Sequence, residues 1–412
     1  MGSNRADALN AELKNIYDKR KPEQLQNREC VTWNKLKKSA LKPMGNGCFG
    51  AAISSGNQKG LGAQNELEAL RTAGTQTADQ WSVTPRVITD TIELSGLYME
   101  VSKGNDASFA DGLVLQMDEG LSDAQKELNA QLFRDGTGLI GRVNGAVTAS
   151  TTVTVDAAIL SHFQYGEPLD IYDSAGTIGS LGTKQVSGVT ISDIDLSAGT
   201  IELASAQTID DDGYIFRQSV ADNTATGKEI SGLPLITDDG TDSSTYEGVT
   251  RTGSGYVAAW KGLEIAMSSA NLSDDAMQKA VARQLVYSGK KASAVVSSTS
   301  QYRKYLTSTL PQVRYEKGET RDSGVTSVPT WNGMPWLVDT DCGNDEVYFL
   351  NFDYIEKFEV YDLKYDSTNG KILKNKDGKD SFYAYAKYYG NVGTRNPRAA
   401  AIRLTGLAEA TF

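Results

Sequence analysis

Between Asn105 and Gly138 the chain reads NDASFADGLVLQMDEGLSDAQKELNAQLFRDGTG, a pattern that fits one long amphipathic helix. Asn105 can cap its start, and Asp106 lies where the helix dipole favours an anion. Ala110, Leu113, Met117, Leu121, Ala124, Leu128 and Leu132 recur at spacings of three and four and form one apolar stripe. Asp118, Glu119, Asp123, Lys126 and Glu127 lie off it, and Gly136 stops it. At about 1.5 Å per residue this rod is roughly 45 Å long, beyond the usual three-turn helix of a compact domain. It needs a long surface to lie on.

A chain of 412 residues exceeds the size at which single cores stop growing, about 250 to 300 residues, so two or three lobes are expected. Hydrophobic residues at 39% and charged ones at 23% supply enough core and argue against global disorder. The net charge of -11 makes the whole chain a poor nucleic-acid binder, because such binding is driven by neutralising phosphates. The charge is uneven. Arg5 to Lys42 carries ten Lys or Arg against five Asp or Glu, a surplus of five, which leaves about -16 on the remainder. Cys30, Cys48 and Cys342 are too few and too scattered for a disulfide framework or a zinc cage, which fits a reducing cytoplasm. No apolar run approaches the roughly 20 residues of a membrane span, and the start lacks the apolar core of a signal peptide.

Residues 1–60 read as an extended arm with a short helix around Ala6 to Lys19 and little that can build a core. Within 61–104, WSVTPRVITDTIELSGLYMEV places Val83, Val87 and Ile92 among strand formers after the polar LRTAGTQTADQ, which predicts a long two-stranded projection. Isolated hairpins are marginal in water, so it would rest on something else, such as a neighbouring subunit. From Gly145 to Gln218 short alternating runs are separated by regular turn signals, which predicts a small antiparallel barrel or sandwich. Phe163, Leu169, Ile171, Val186, Val189, Ile201, Leu203, Tyr214 and Phe216 are its expected inward face. Beyond Glu229, LSDDAMQKAVARQLVYSG reads as a helix capped by Ser273, with Ala276, Ala280, Val281 and Leu285 apolar. SAVVSS reads as a buried strand, TSQYRKYLTSTL as a second helix, and the remainder as strand-rich, with Phe382, Tyr383, Tyr385 and Tyr388 on a half-exposed aromatic surface.

The chemical motifs are weak. GNGCFG, Gly45 to Gly50, has three dinucleotide-type glycines but no preceding buried strand and no following helix, so it reads as flexible arm. The one histidine, His162, leaves little for a triad or zinc site and reads as structural. DDGTD, Asp238 to Asp242, departs from the EF-hand spacing and reads as a solvated turn, as do Asp210 to Asp212. No catalytic, cofactor-binding or metal residue is assigned, and no cofactor is expected.

The order of these parts resembles the major capsid proteins of tailed bacteriophages with the Hong Kong 97 fold. A polar N-terminal arm, a long hairpin like the extended E-loop and a spine helix ending in LNAQLFRDGTG are followed by a mixed domain. GLPLITDDG and VTRTGSGYVAAWKG look like the link from peripheral to axial domain, and NPRAAAIRLTGL resembles the last peripheral strand. The resemblance implies an α+β chain divided into an arm (1–60), E-loop hairpin and flanks (61–104), spine helix (105–138) and β-rich insertion domain (139–220). Peripheral strands and a linker (221–260), a mainly axial region (261–365) and C-terminal peripheral strands (366–412) complete it.

It further implies a structural, non-enzymatic protein that assembles in the host cytoplasm as hexamers and pentamers into an icosahedral virion shell around double-stranded DNA, without binding that DNA specifically. Scaffolding, portal and decoration proteins are the other implied partners, and no membrane is. Arg71, Trp81 and Arg86 of the hairpin region and Lys35, Lys37 and Lys38 of the arm are the expected subunit-interface residues. Some family members crosslink their shells through an E-loop Lys. Here no Lys occurs between Lys59 and Lys103, and Arg71 cannot serve as the amine, so noncovalent contacts are expected. Two alternatives stand beside this reading: an encapsulin-type compartment, and a monomeric enzyme or carbohydrate-binding protein that recognises its ligand with the β-insertion.

Overall fold

A computed structural model describes residues 30–44, 49–54, 60–74, 78–98, 106–155, 160, 162–176, 180–195, 197–218, 220, 227–252, 260–309, 330–367 and 372–408. The expected helix at Ala6 to Lys19, most of GNGCFG and the Asn105 cap lie outside them.

The long helix runs over Asp106–Leu132. It lies on a five-stranded sheet built around Ser381–Thr394, which pairs with Arg86–Ser95 along one edge and with Ile355–Tyr365 and Lys374–Asn375 along the other. Lys37–Lys38 adds a short parallel strand to Ile355–Tyr365. Alternation along Ser381–Thr394 buries Ala384, Ala386 and Tyr388 and leaves Tyr383, Tyr385, Lys387 and Tyr389 half-buried on the opposite face. Tyr388 therefore belongs to the core, edge-on to Trp33, and not to the aromatic surface expected for it. Small side chains let the helix approach closely: Ala384 and Ala386 pack with Tyr365, Ile92, Met117 and Leu121, and the Tyr365 hydroxyl donates 3.0 Å to the Met117 carbonyl. Gly120 serves the same approach, since a Cβ there would lie 2.8 Å from both the Asp90 carboxylate and the Tyr365 hydroxyl.

The apolar stripe predicts only part of the helix's burial. Ala124, Leu128 and Leu132 are buried as expected, but so are Lys126, Asn129, Ala130 and Gln131, because the last turns are surrounded on every side. Gly136 ends the segment with φ of +83°.

Residues 139–217 form a six-stranded antiparallel sheet in the order Leu139–Arg142, Tyr214–Arg217, Pro168–Tyr172, Lys184–Asp195, Thr200–Ile209, Val147–Thr154. It curls far enough for Val143, beyond one edge, to bridge Val155, beyond the other. Its own core contains Phe163, Leu169, Ile171, Val186, Ile201 and Leu203, with Val189 against it. In Tyr214–Arg217 the inward residue is Ile215. Tyr214 and Phe216 are buried on the outer face, where Phe216 meets Tyr172 edge-on, so burial on both faces hid the parity of this strand.

The third layer is a mixed six-stranded sheet ordered Glu264–Ala270, Ala401–Leu407, Val347–Leu350, Ala294–Ser297, Met334–Val338, Thr330–Trp331. Helix Asp274–Ser288 packs on it with a Ser273 cap that accepts 3.2 Å from the Ala276 N–H and a left-handed Gly289 at its end. Its buried face is Ala276, Met277, Ala280 and Gln284, while Leu285 is exposed. The final strand Ala401–Leu407 lies in this sheet, between Glu264–Ala270 and Val347–Leu350. The short helix Pro397–Ala400, capped by Asn396, turns the chain from one sheet to the other.

One core joins the long helix, the five-stranded sheet and the mixed sheet. Trp33 and Leu36 from the arm, Trp81, Leu128, Leu132, Trp260, Tyr348, Phe358 and Tyr388 all belong to it, so the end of the arm builds core where little was expected. A buried polar knot fixes the same junction. Asp339 accepts from the Thr32 N–H (3.1 Å) and hydroxyl (2.6 Å) and from Asn129 (3.1 Å), and Asn129 also donates to Asp341 (2.7 Å). His162 Nε2 donates 2.7 Å to the Asp341 carbonyl, a structural role as its sequence suggested. Asp238 is no solvated turn: it is buried, 3.1 Å from the fully buried Arg251 guanidinium, and accepts the Gly240 and Ser243 N–H groups.

Candidate assembly surface

The projecting hairpin pairs Phe49–Ser54 with Ala78–Val83, register Phe49 to Val83 through Ser54 to Ala78. Its first strand thus comes from the region read as arm. The Arg86–Ser95 strand, read as part of the projection, is instead the edge of the five-stranded sheet. Pro85 supplies the break between the two strands, since it cannot donate to a ladder.

The hairpin base is anchored in its own chain. Trp81 is 1% exposed, stacks on Trp260 at 6.2 Å between centroids and meets Phe358 edge-on at 6.0 Å. This corrects the expectation that Trp81 contacts a neighbouring subunit, because a side chain enclosed by its own core has no surface to offer. The Ser82 N–H donates 2.8 Å to the Glu247 carbonyl, and the buried Glu247 carboxyl accepts 3.0 Å from the Thr394 N–H. Burial pushes Glu247 up to about 8.

The hairpin tip has no such support. Across residues 60–74, Leu61, Leu67 and Leu70 are 77%, 101% and 89% exposed. Local polar contacts hold the tip: Asn65 N–H to Glu68 (2.9 Å), Gln64 to the Ala69 carbonyl (2.8 Å) and Arg71 to the Ala63 carbonyl (3.0 Å). Among the described residues none covers these three leucines, which stand in water within ten positions of one another.

The other expected interface residues sit in varied settings. Lys35 is exposed at the end of Val31–Lys35. Lys37 pairs with Asp353 at 2.6 Å and Lys38 with Glu359 at 3.1 Å, so both use their charge within the chain. Arg86 is half-buried, opposite Gly390 in the sheet. The structure brings Lys37, Lys38 and Arg86 to one sheet and leaves Arg71 on the distant tip. The leucines escaped the sequence reading because they carry no periodicity; their signal was Leu-Xaa-Xaa-Leu among Glu66 and Glu68 in a segment otherwise read as polar.

Among the described residues no group of three or more His, Cys, Asp or Glu could hold a metal ion, and no helix is long and apolar enough to cross a membrane. No protein-family model and no curated protein sequence matches the chain. Solved structures do. The capsid of cyanophage A-1(L) is similar over 97% of this chain and 99% of that one, with TM-score 0.57 and 11% identity. The encapsulin of the holo-SrpI complex from Synechococcus elongatus PCC 7942 is similar over 98% and 96%, with TM-score 0.50 and 7% identity. The chain therefore has the mixed α/β fold of phage capsid subunits and encapsulins, the Hong Kong 97-type fold that the order of its parts resembles.

Proposed function

We propose that this protein is the major capsid protein of a tailed bacteriophage, assembling as hexamers and pentamers into an icosahedral shell around double-stranded DNA. The observation that carries this reading is the exposed leucine tip at the end of a hairpin whose base is locked into its own chain. Such a projection gains stability when a neighbouring subunit covers it, because burial of each leucine contributes about 2 kcal/mol. The similarity to the cyanophage capsid along nearly the whole chain supports the same reading. The role is structural: subunits are held by repeated noncovalent contacts, with the exposed Arg71 and Lys35 among the groups that would meet neighbours. The acidic body lets packaged DNA lie against the wall without adhering to it.

Negative-stain electron microscopy of the purified full chain tests this. Closed shells of uniform size support it, and a stable monomer at high concentration rejects it. The encapsulin likeness favours a second reading, a protein compartment. Particles that contain a host enzyme and no nucleic acid would select that reading. A ladder of covalent oligomers on denaturing gels of mature particles would exclude the noncovalent shell.

A further inference from the structure

The long helix meets the curled antiparallel sheet through ionised groups. Glu127 lies on the helix and Arg134 just beyond its end; Glu167 and Arg217 come from the sheet and the turn leading into it; Glu229 lies on the segment that leaves the sheet. Arg217 pairs with both Glu127 and Glu167. Arg134 Nη1 lies 3.0 Å from Glu229 and 3.4 Å from Glu127. The neutral Gln131 completes the set, donating 2.9 Å to Glu127 and accepting from the Ile230 N–H. Lys228, adjoining Glu229, is exposed. No side chain of the five is more than 18% exposed.

Three carboxylates here face two guanidinium groups. Fully ionised, the cluster would bury one uncompensated negative charge, which costs several kcal/mol. Arginine cannot change its charge in this range, so a carboxyl must. The directions agree with that count. Burial raises Glu229 and Glu167, with the Glu127 carboxylate adding to it, and their arginine partners offset this only in part. At Glu127 burial acts the same way, but Arg217 and Arg134 together outweigh it and hold the group below its ordinary value.

We propose that this cluster binds one proton in the folded chain, distributed over Glu167 and Glu229, and that the proton clamps the antiparallel sheet to the long helix. The proton comes from water and converts one carboxylate to a neutral carboxyl, which leaves two carboxylates for two guanidinium groups. Its loss in alkali restores the third negative charge. Glu167 on the sheet side then repels Glu127 on the helix side, and the junction loosens while each body keeps its own apolar core. The clamp does not depend on whether the chain forms a shell.

Infrared spectroscopy and hydrogen exchange on the full chain test the clamp. The wild-type chain should show, besides the Glu247 carboxyl, one protonated carboxyl that persists above the ordinary carboxyl range, and Glu229→Gln and Glu167→Gln should each reduce the absorption by the same one-proton amount. Protection of amides in Leu139–Arg142 and Tyr214–Arg217, corrected for intrinsic exchange, should fall by up to about tenfold per pH unit as pH rises above the ordinary carboxyl range in the wild type, the slope of one proton, and lose that slope in either variant. If one variant does not fold, the other decides. Variants that keep both the wild-type absorption and its pH slope overturn the proposal. A wild-type chain in which no carboxyl besides Glu247 stays protonated above the ordinary carboxyl range overturns it without any variant.

Discussion

The base and the tip of the projecting hairpin lie in one stretch of chain and solve opposite problems. At the base, Trp81 and Val83 are enclosed by Trp260, Phe358 and their neighbours, and the backbone is tied to Glu247. At the tip, Leu61, Leu67 and Leu70 stand in solvent on a loop that local polar contacts hold. The difference separates what the subunit needs to fold from what it keeps for association. A rigid base fixes where the projection points, and an apolar tip makes that direction useful to a partner.

The contrast can be broken most strongly at the base. Trp81→Ala should cost about 3–5 kcal/mol of chain stability, read by denaturant unfolding, because it empties the space between Trp260 and Phe358. An interface role for Trp81 would instead leave monomer stability unchanged. Asp339→Ala should cost about 3 kcal/mol by the same assay, since it strands the Thr32 and Asn129 donors in the core.

Glu247 gives the base a pH dependence of its own. Its folded value of about 8 lies above its ordinary 4.5, so the folded chain holds the proton more tightly. Stability from this group is therefore complete below about pH 4.5 and declines as pH rises toward about 8. Glu247→Gln should flatten that decline in thermal unfolding across the window, and an unchanged slope would remove Glu247 as its source.

The tip should behave in the opposite way. Replacing Leu61, Leu67 and Leu70 together by Ser should shift chain stability by less than about 0.5 kcal/mol, as befits exposed positions, yet abolish large particles in light scattering. Arg71→Ala should have the smallest effect on the chain, within about 0.3 kcal/mol, since its hydrogen bond to Ala63 is exposed. Assembly by the triple variant at the wild-type rate would show that the leucines are not the contact.

Much of the secondary structure is legible in the amino-acid sequence. Periodicity alone indicates a long helix starting at Asn105, Ser273 marks the start of Asp274–Ser288, and regular turn signals from Gly145 to Gln218 mark the antiparallel sheet. Turn residues and periodicity act within a few residues of one another, so one chain segment is enough to express them. Pairing was not legible. Phe49–Ser54 joins Ala78–Val83 across an intervening loop, and Ala401–Leu407 crosses to the sheet containing Val347–Leu350, because alternation marks a buried face without naming what buries it.

The sites divide in the same way. Arg71 and the absence of lysine around it could be read from sequence, since they are matters of composition. The burial of Trp81, the convergence of Thr32, Asn129 and Asp339, and the five-membered ion cluster joining Glu127 to Glu229 depend on residues tens to hundreds of positions apart. The sequence by itself determined which elements form, through local spacing and caps. Only the tertiary structure decided which aromatic side chains are enclosed, which charges are buried together and which leucines are left for a partner, because those outcomes depend on how distant elements pack.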